Sequence, residues 1–296
     1  DRDNSSYGTA IVGTVSGTSI SYGTPVIFES DTTVYTAITY DSVNNKVVIA
    51  YQDAGNNSYG KAVVGTVSGT SISFGAIVTF SAVNTTFISA TFDSNANKVV
   101  IAYRDGTIPY YGRAIVGEVS GTSISFGTSV IFTTGDNYYH SAVFDTSLNQ
   151  VVIAYHDYAN TEAKVIVGTV SGTSISFETP LTFSTGLGVL SAAFDSNVNK
   201  VVIAYEDAGN SDYGTGIVYT PASTNVANFI GITASAIADT ATGAVNIYGG
   251  INEAQTGLTI GSDYYVQADG SLSTTASSVK VGRAISATTI NMMDLT

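Results

Sequence analysis

Apolar residues along this chain come in short unbroken runs rather than at helical intervals. The clearest is KVVIAYRD, Lys98 to Asp105, and it recurs as KVVIAYQD from Lys46, QVVIAYHD from Gln150 and KVVIAYED from Lys200. A strand with one wet face alternates polar and apolar residues, so a continuous run predicts a strand covered on both faces. Three more strand-length runs surround it. In one copy they are ISATFD from Ile88, GRAIVGEV from Gly112 and SISFGTSVIF from Ser123, joined by DSNANK and SGT, whose residues tolerate turn dihedrals. The unit predicted is a four-stranded antiparallel meander.

The unit repeats. GTVSGTSIS begins at Gly13 and Gly65, returns as GEVSGTSIS at Gly117 and again in its first form at Gly168, at spacings of 52, 52 and 51 residues. Tandem four-stranded units of about 50 residues are the signature of a β-propeller, in which each sheet packs face to face on its neighbours. The fold class expected is therefore all-β, with repeats of about 52 residues forming a propeller-like domain over residues 1–220. Its units fall near 1–30, 31–81, 82–133, 134–184 and 185–220, followed by a polar linker, 221–227, and a small C-terminal β domain, 228–296. Asp1 aligns on Asp53, so the chain opens with third and fourth strands, while residues 188–207 supply a first and a second. Joining those halves would close a ring of four sheets. Against closure, Tyr213 to Tyr219 reads as another third strand, competing with residues 7–15; the alternative is that upstream repeats are missing.

Composition narrows the function. The 296 residues carry a formal charge of −13 and only ten Lys plus Arg, which repels phosphate backbones and anionic lipid, so no nucleic-acid partner is expected. No apolar run reaches the roughly 18 residues of a membrane helix, and no membrane insertion is expected. With no cysteine, packing alone must hold the fold.

The four copies of the central strand differ at one position, occupied by Gln52, Arg104, His156 and Glu206. In a meander, this position lies at the end that carries the second-to-third and fourth-to-first connections. Those loops differ in almost every residue, whereas DSVNNK, DSNANK, DTSLNQ and DSNVNK at the other end are nearly alike. The divergent end is either an unconstrained solvent face or a binding surface. Its aromatic content favours binding, since rigid amphipathic rings stack on sugars or anchor proteins. The ligand-binding candidates are Arg104, Tyr110, Tyr111, Tyr138, Tyr139, His140, His156 and Tyr158. Tyr35, Phe87 and Tyr139 hold equivalent places before a first strand and suit structural plugs.

Catalysis is not expected. Asp41, Asp93, Asp145 and Asp195, with Asp53, Asp105, Asp157 and Asp207, recur in every unit. An active site is made once, so repeated Asp at strand ends points to turn capping. His140 and His156 lie on different units without a carboxylate at catalytic spacing. The loop with Asp207, Asn210 and Asp212 does not match an EF-hand; no metal and no cofactor are expected.

The C-terminal stretch carries GLTIGSDYYV from Gly257, GSLSTT from Gly270, in a turn that signals a hairpin, and VGRAISATTI from Val281. This pattern resembles the C-terminal module of bacteriophage tail-fibre and virion-appendage proteins, over about 70 residues from Asn228. The FDSNANKVVIAY repeat resembles, more loosely, repeats of marine phage virion proteins. The resemblance implies a structural protein of the virion surface, a tail fibre, spike or capsid decoration. Such a protein binds other virion proteins through its C-terminal module, commonly as an oligomer, here expected to be a homotrimer. Its repeat domain would be displayed toward a host-surface glycan or protein. A cellular adhesin or secreted lectin is the second expectation, and a polysaccharide hydrolase the third.

Overall fold

The computed structural model describes residues 5–186, 188–219, 232–233, 245–246, 251–266, 271–275 and 280–292. It divides into two compact parts, Asp1–Tyr219 and Thr220–Thr296. Both are all-β, and the one helical turn among the described residues is Ala208–Asn210. The linker, 221–227, and the Gly270 turn lie outside the described residues, as does most of 228–250.

In the first part, β1 (Tyr7–Ala10) and β2 (Gly13–Ser16) are halves of one third strand, and β3 (Ser19–Tyr22) follows. β4 (Val26–Asp41) ends the first unit and begins the second, which continues through β5 (Lys46–Asp53), β6 (Tyr59–Ser68) and β7 (Ser71–Phe74). The third unit contains β8 (Val78–Asp93), β9 (Lys98–Asp105), β10 (Gly112–Ser120), β11 (Ser123–Phe126) and β12 (Val130–Thr133). The fourth contains β13 (Asn137–Asp145), β14 (Gln150–Asp157), β15 (Glu162–Ser171), β16 (Ser174–Phe177) and β17 (Leu181–Thr185). The fifth has β18 (Leu190–Asp195), β19 (Lys200–Asp207) and β20 (Tyr213–Tyr219). Pairing is antiparallel throughout.

Turn chemistry sets the hairpins. Asp41 Oδ1 accepts from the Val43 and Asn44 amides, Asp93 Oδ1 from Asn95 and Ala96, and Asp145 Oδ1 from Ser147 and Leu148. Asp41, Asp93, Asp145 and, through the Asn197 amide, Asp195 are caps, as their recurrence implied, whereas Asp53 of the second set pairs with Lys61 and caps no turn with its side chain. Each turn then ends on an Asn in the left-handed region, Asn45, Asn97, Asn149 and Asn199, at φ of 53° to 56°. Asn tolerates that conformation, and its side chain competes well for local backbone groups.

The central strands are covered on both faces, as their unbroken apolar runs predict. Val99, Ile101 and Tyr103 of β9 share a core with Val48 and Ala50 of the second unit, while Val100 and Ala102 share another with Val151, Ile153 and Tyr155 of the fourth. Alternate residues of one strand thus face two different neighbours, which is the period-2 geometry of a pleated strand applied between packed sheets. All of these side chains are at most 4% exposed. A full burial of this kind contributes roughly 1.5–3 kcal/mol per large aliphatic side chain.

One aromatic contact recurs between units. Phe28, Phe80, Phe132 and Phe183, at the end of each fourth strand, meet Tyr51, Tyr103, Tyr155 and Tyr205 of the next unit edge to face, at 5.2, 5.3, 5.2 and 5.3 Å. The first three rings also lie on a glycine of their own third strand. A Cβ on Gly8, Gly60 or Gly112 would come within 2.5–2.7 Å of Phe28, Phe80 or Phe132.

Three expectations are corrected. SISFGTSVIF is not one strand: β11 pairs the far half of β10 and β12 the near half, with a break at Gly127. A Cβ there would stand 2.0 Å from the Thr173 carbonyl oxygen of the next unit, and Gly23 and Gly75 make the same close approach to Thr70 and Thr122. Next, the first two fourth-to-first connections are not loops, because β4 and β8 pass extended from one sheet into the next. They exchange partners near Thr32/Thr33 and Asn84/Thr85. Finally, the terminal halves do not close a ring by strand pairing among the described residues: β1 pairs β4 alone, and β20 pairs β19 over its whole length, Tyr213↔Asp207 to Tyr219↔Val201. The competing third strand wins because it is the nearest partner in sequence, so the loop it closes is short.

In the second part, β21 (Ile232–Thr233) pairs β22 (Val245–Asn246). β23 (Ile251–Asn252), β24 (Asp263–Val266), β25 (Leu272–Ser273), β26 (Lys280–Ala284) and β27 (Ile290–Asn291) form a sheet in the order β23-β27-β26-β24-β25. Tyr264, Val266, Val281, Ala284, Ile290 and Met292 form its core. The motif residues Tyr264, Val266 and Val281 are therefore packing residues.

Replacing Phe132 by Ala removes the ring that joins Gly112 to Tyr155. The substitution is expected to lower stability by about 3–5 kcal/mol, measured as the shift of the urea unfolding transition.

Candidate functional site

The divergent end is built on bulges. Where β4, β8 and β13 enter their sheets, pairing slips between Val34 and Ala37, Thr86 and Ser89, and Tyr138 and Ser141. Tyr35, Phe87 and Tyr139 occupy these slips at φ of 49°, 52° and 53°. Aromatic residues rarely adopt positive φ, and bulges re-aim side chains. Here the re-aimed rings meet: Tyr35 to Phe87 at 5.2 Å, Phe87 to Tyr139 at 5.3 Å and Phe87 to Tyr138 at 5.0 Å, with Tyr138 to Tyr158 at 5.3 Å. The result is an aromatic row across three units, and Tyr35, Tyr139 and Tyr158 in it are 42%, 40% and 54% exposed. Serines brace the strands beneath it: Ser89 Oγ accepts from the Ala142 amide at 2.9 Å and Ser141 Oγ from Ala192 at 2.8 Å, each reaching into the next unit.

Arg104 stands beside the row. Its guanidinium lies 4.3 Å from the Tyr110 ring centre and 4.9 Å from that of Tyr138, and donates to Asp136 from Nε and the neighbouring nitrogen at 2.8 and 2.7 Å. Tyr138 donates its hydroxyl to the other Asp136 oxygen at 2.9 Å. Partial burial raises the Tyr138 pKa, and the hydrogen bond to Asp136 adds to it.

The variable position thereby acquires a physical role. Gln52 Nε2 donates to Asn84 Oδ1 at 2.8 Å, Arg104 pairs Asp136, and His156 Nε2 meets the Gly186 carbonyl oxygen at 2.7 Å. In these three units the side chain straps the central strand to the segment leading into the next unit. It varies because its partner varies with it, amide with amide and cation with carboxylate. Glu206 belongs to the three-stranded last sheet.

The two histidines lie beneath the surface. His140 Nε2 meets Asn137 Oδ1 at 2.6 Å and its ring packs on Phe132, while Asn137 Nδ2 donates to the Tyr110 carbonyl at 2.7 Å and so holds that loop. Burial lowers the His140 pKa to about 3 and also lowers that of His156. Both rings are therefore neutral supports, with no free edge toward solvent: His140 is 8% and His156 2% exposed. Tyr111 sits 5.7 Å from the Arg113 guanidinium, outside the row.

The structure thus brings Tyr138, Tyr139 and Tyr158 into one surface, with Arg104 and Tyr110 stacked at its side. Sequence reading left out Asp136 and Asn137, which hold it together. A signal existed in the paired change of Gln52 with Asn84 and Arg104 with Asp136, 32 residues apart in both cases.

The strand-end acids are engaged in ion pairs: Asp53 with Lys61, Asp105 with Arg113 at 2.8 Å and Asp157 with Lys164 at 2.7 Å. Burial would raise the Asp157 pKa, but hydrogen bonds from Lys164 and Asn160 outweigh it and hold the carboxyl below its ordinary range. No protein-family model matches the chain, and no curated protein matches it.

Two outcomes are expected. Arg104→Gln or Asp136→Asn alone should each destabilise the protein, whereas the double change recreates the Gln52–Asn84 pair. A double-mutant cycle by urea denaturation should return a coupling of about 0.5–3 kcal/mol. The second outcome concerns acid. The neutral buried His140 contributes stability that is complete above the unfolded-state pKa near 6.5 and is lost as pH falls toward 3, at up to about 1.4 kcal/mol per pH unit, and the lowered pKa of His156 acts in the same direction. Urea midpoints between pH 6.5 and 5, above the range of Asp157, should show this slope, and His140→Ile, the residue type of Ile88 in the third unit, should reduce it.

Proposed function

We propose that the chain is an attachment protein of a virion surface, whose repeat domain recognises a host-surface glycan through the row Tyr35, Phe87, Tyr138, Tyr139 and Tyr158. The observation that carries the reading is that row. Three exposed rings, Tyr35, Tyr139 and Tyr158, linked through the half-buried Phe87 and Tyr138 on a strand scaffold, give apolar faces at low entropic cost, which suits stacking on sugar rings. The phage-like motif of residues 257–290 supports the virion setting, with the C-terminal module joining the protein to other virion components as a homotrimer. Ile260 and Ile285 of that module are 67% and 50% exposed, consistent with a surface that is covered on assembly. The reading is one of binding rather than turnover, and the engagement of the repeated acids in caps and ion pairs supports it. A host-surface protein could use the same rings, and an adhesin of a cell surface would present them in the same way.

Binding of the purified chain to host cells and to immobilised glycans tests the reading. Tyr158→Ala and Tyr139→Asn, the latter chosen because Asn tolerates positive φ, should each cost about 2 kcal/mol, roughly a thirtyfold loss of affinity. Ser94→Ala, at the uniform end, should change nothing; equal losses from both ends would overturn the assignment.

A further inference from the structure

The last sheet carries a seat that every earlier unit fills. In the first four units a segment of the fourth strand lies along the near half of the third. Val26 stands opposite Ala10, Val78 opposite Ala62, Val130 opposite Ala114, and Leu181 opposite Val165. Two residues beyond each aliphatic comes a phenylalanine, in the triplets VIF, VTF, VIF and LTF. In the first three units its ring rests on Gly8, Gly60 or Gly112, where a Cβ would be within 2.7 Å of it. The fourth has Ala163 at that place.

β20 repeats the receiving half of this arrangement. Its pairing with β19 puts Gly214 opposite Glu206 and Gly216 opposite Ala204, as Gly60 faces Gln52 and Ala62 faces Ala50. Yet β20 pairs with β19 alone among the described residues, and a Cβ on either glycine would meet nothing within 4 Å. A groove of about 570 Å³ runs over this place, lined by Leu190, Tyr205, Gly214 and Gly216 together with the acidic Glu206 and Asp212. Apolar side chains of the same sheet are uncovered: Val202 and Val218 are 39% and 63% exposed, while Val48 and Val64, their equivalents in the second unit, are 0%.

We propose that the edge of β20 is a docking seat for an extended segment of another polypeptide bearing an aliphatic residue, one intervening residue and a phenylalanine. The segment adds as an antiparallel strand. Main-chain hydrogen bonds along β20 supply affinity, and the side chains that alternate onto the apolar face supply specificity. The aliphatic residue lies opposite Gly216 and the phenylalanine ring covers Gly214, following the register of the four filled seats. Specificity arises because any side chain at position 214 would occupy the space of the ring.

The test uses the full chain and a labelled peptide, Thr-Ser-Val-Ile-Phe-Thr-Thr-Gly, which copies residues 128–135. Fluorescence anisotropy should show saturable binding, and hydrogen exchange should show new protection in β20. Replacing the peptide's Phe by Ala should weaken binding at least tenfold. Gly214→Val should do the same while leaving the unfolding transition of the free protein unchanged, since the added side chain meets nothing. Gly216→Val provides a second block at the aliphatic position. Absence of saturable binding below millimolar peptide, or binding that neither glycine substitution weakens, would overturn the proposal.

Discussion

The repeat depends on one contact: a phenylalanine ring set between a glycine of its own unit and a tyrosine of the next. Phe80 lies on Gly60 and meets Tyr103, and Phe132 lies on Gly112 and meets Tyr155. The same rings touch Phe126 and Phe177 at 5.7 Å in both cases. Inside a single four-stranded sheet such a ring is covered on one side only, because half of its surface faces out. Units must therefore stack, and the stacking turns the central strand into a two-sided core element. Each edge-to-face pair contributes about 0.5–1.5 kcal/mol beyond its burial, a large fraction of the marginal stability of any one unit.

Neighbour relations also explain where the repeat relaxes. Gly23, Gly75 and Gly127 are each held against a carbonyl oxygen of the following SGT turn. The equivalent residue in the fourth unit is Glu178, and the fifth unit has no SGT turn to collide with it. The glycine is thus found only where an SGT turn follows in the next unit's sequence. The reverse holds at Gly214, where the glycine persists although no described ring covers it.

The divergent end is a consequence of the same economy of constraint. Packing dictates the strand interiors and the uniform turns, while the opposite end must satisfy only a strap between one strand and the next segment. Amide, ion pair and histidine–carbonyl contacts all serve, which leaves the exposed residues of those loops free to diverge. The aromatic row arises on this permissive surface, but its rings are aimed by bulges that belong to the rigid sheets. Pre-positioned rings lose little freedom when a ligand covers them.

Periodicity alone determined the all-β class, the unit of about 52 residues and the two-sided burial of KVVIAY, because these follow from local spacing and from which residues tolerate a turn. It also determined the role of Asp41, Asp93, Asp145 and Asp195, since a cap is a contact within a few residues of sequence, but not the ion pairs of Asp53, Asp105 and Asp157 with the next strand. Tertiary structure decided the rest. Whether SISFGTSVIF stays one strand depends on the Thr173 carbonyl of another unit, and whether residues 7–15 or β20 complete the last sheet depends on competition between partners. His140 and His156 read as accessible candidates because a strand-end position carries no mark of burial, yet the rings of Phe132 and the Gly186 segment enclose them. The row from Tyr35 to Tyr158 draws on units about 50 residues apart, and only the packing of one sheet on the next brings such rings within 5–6 Å.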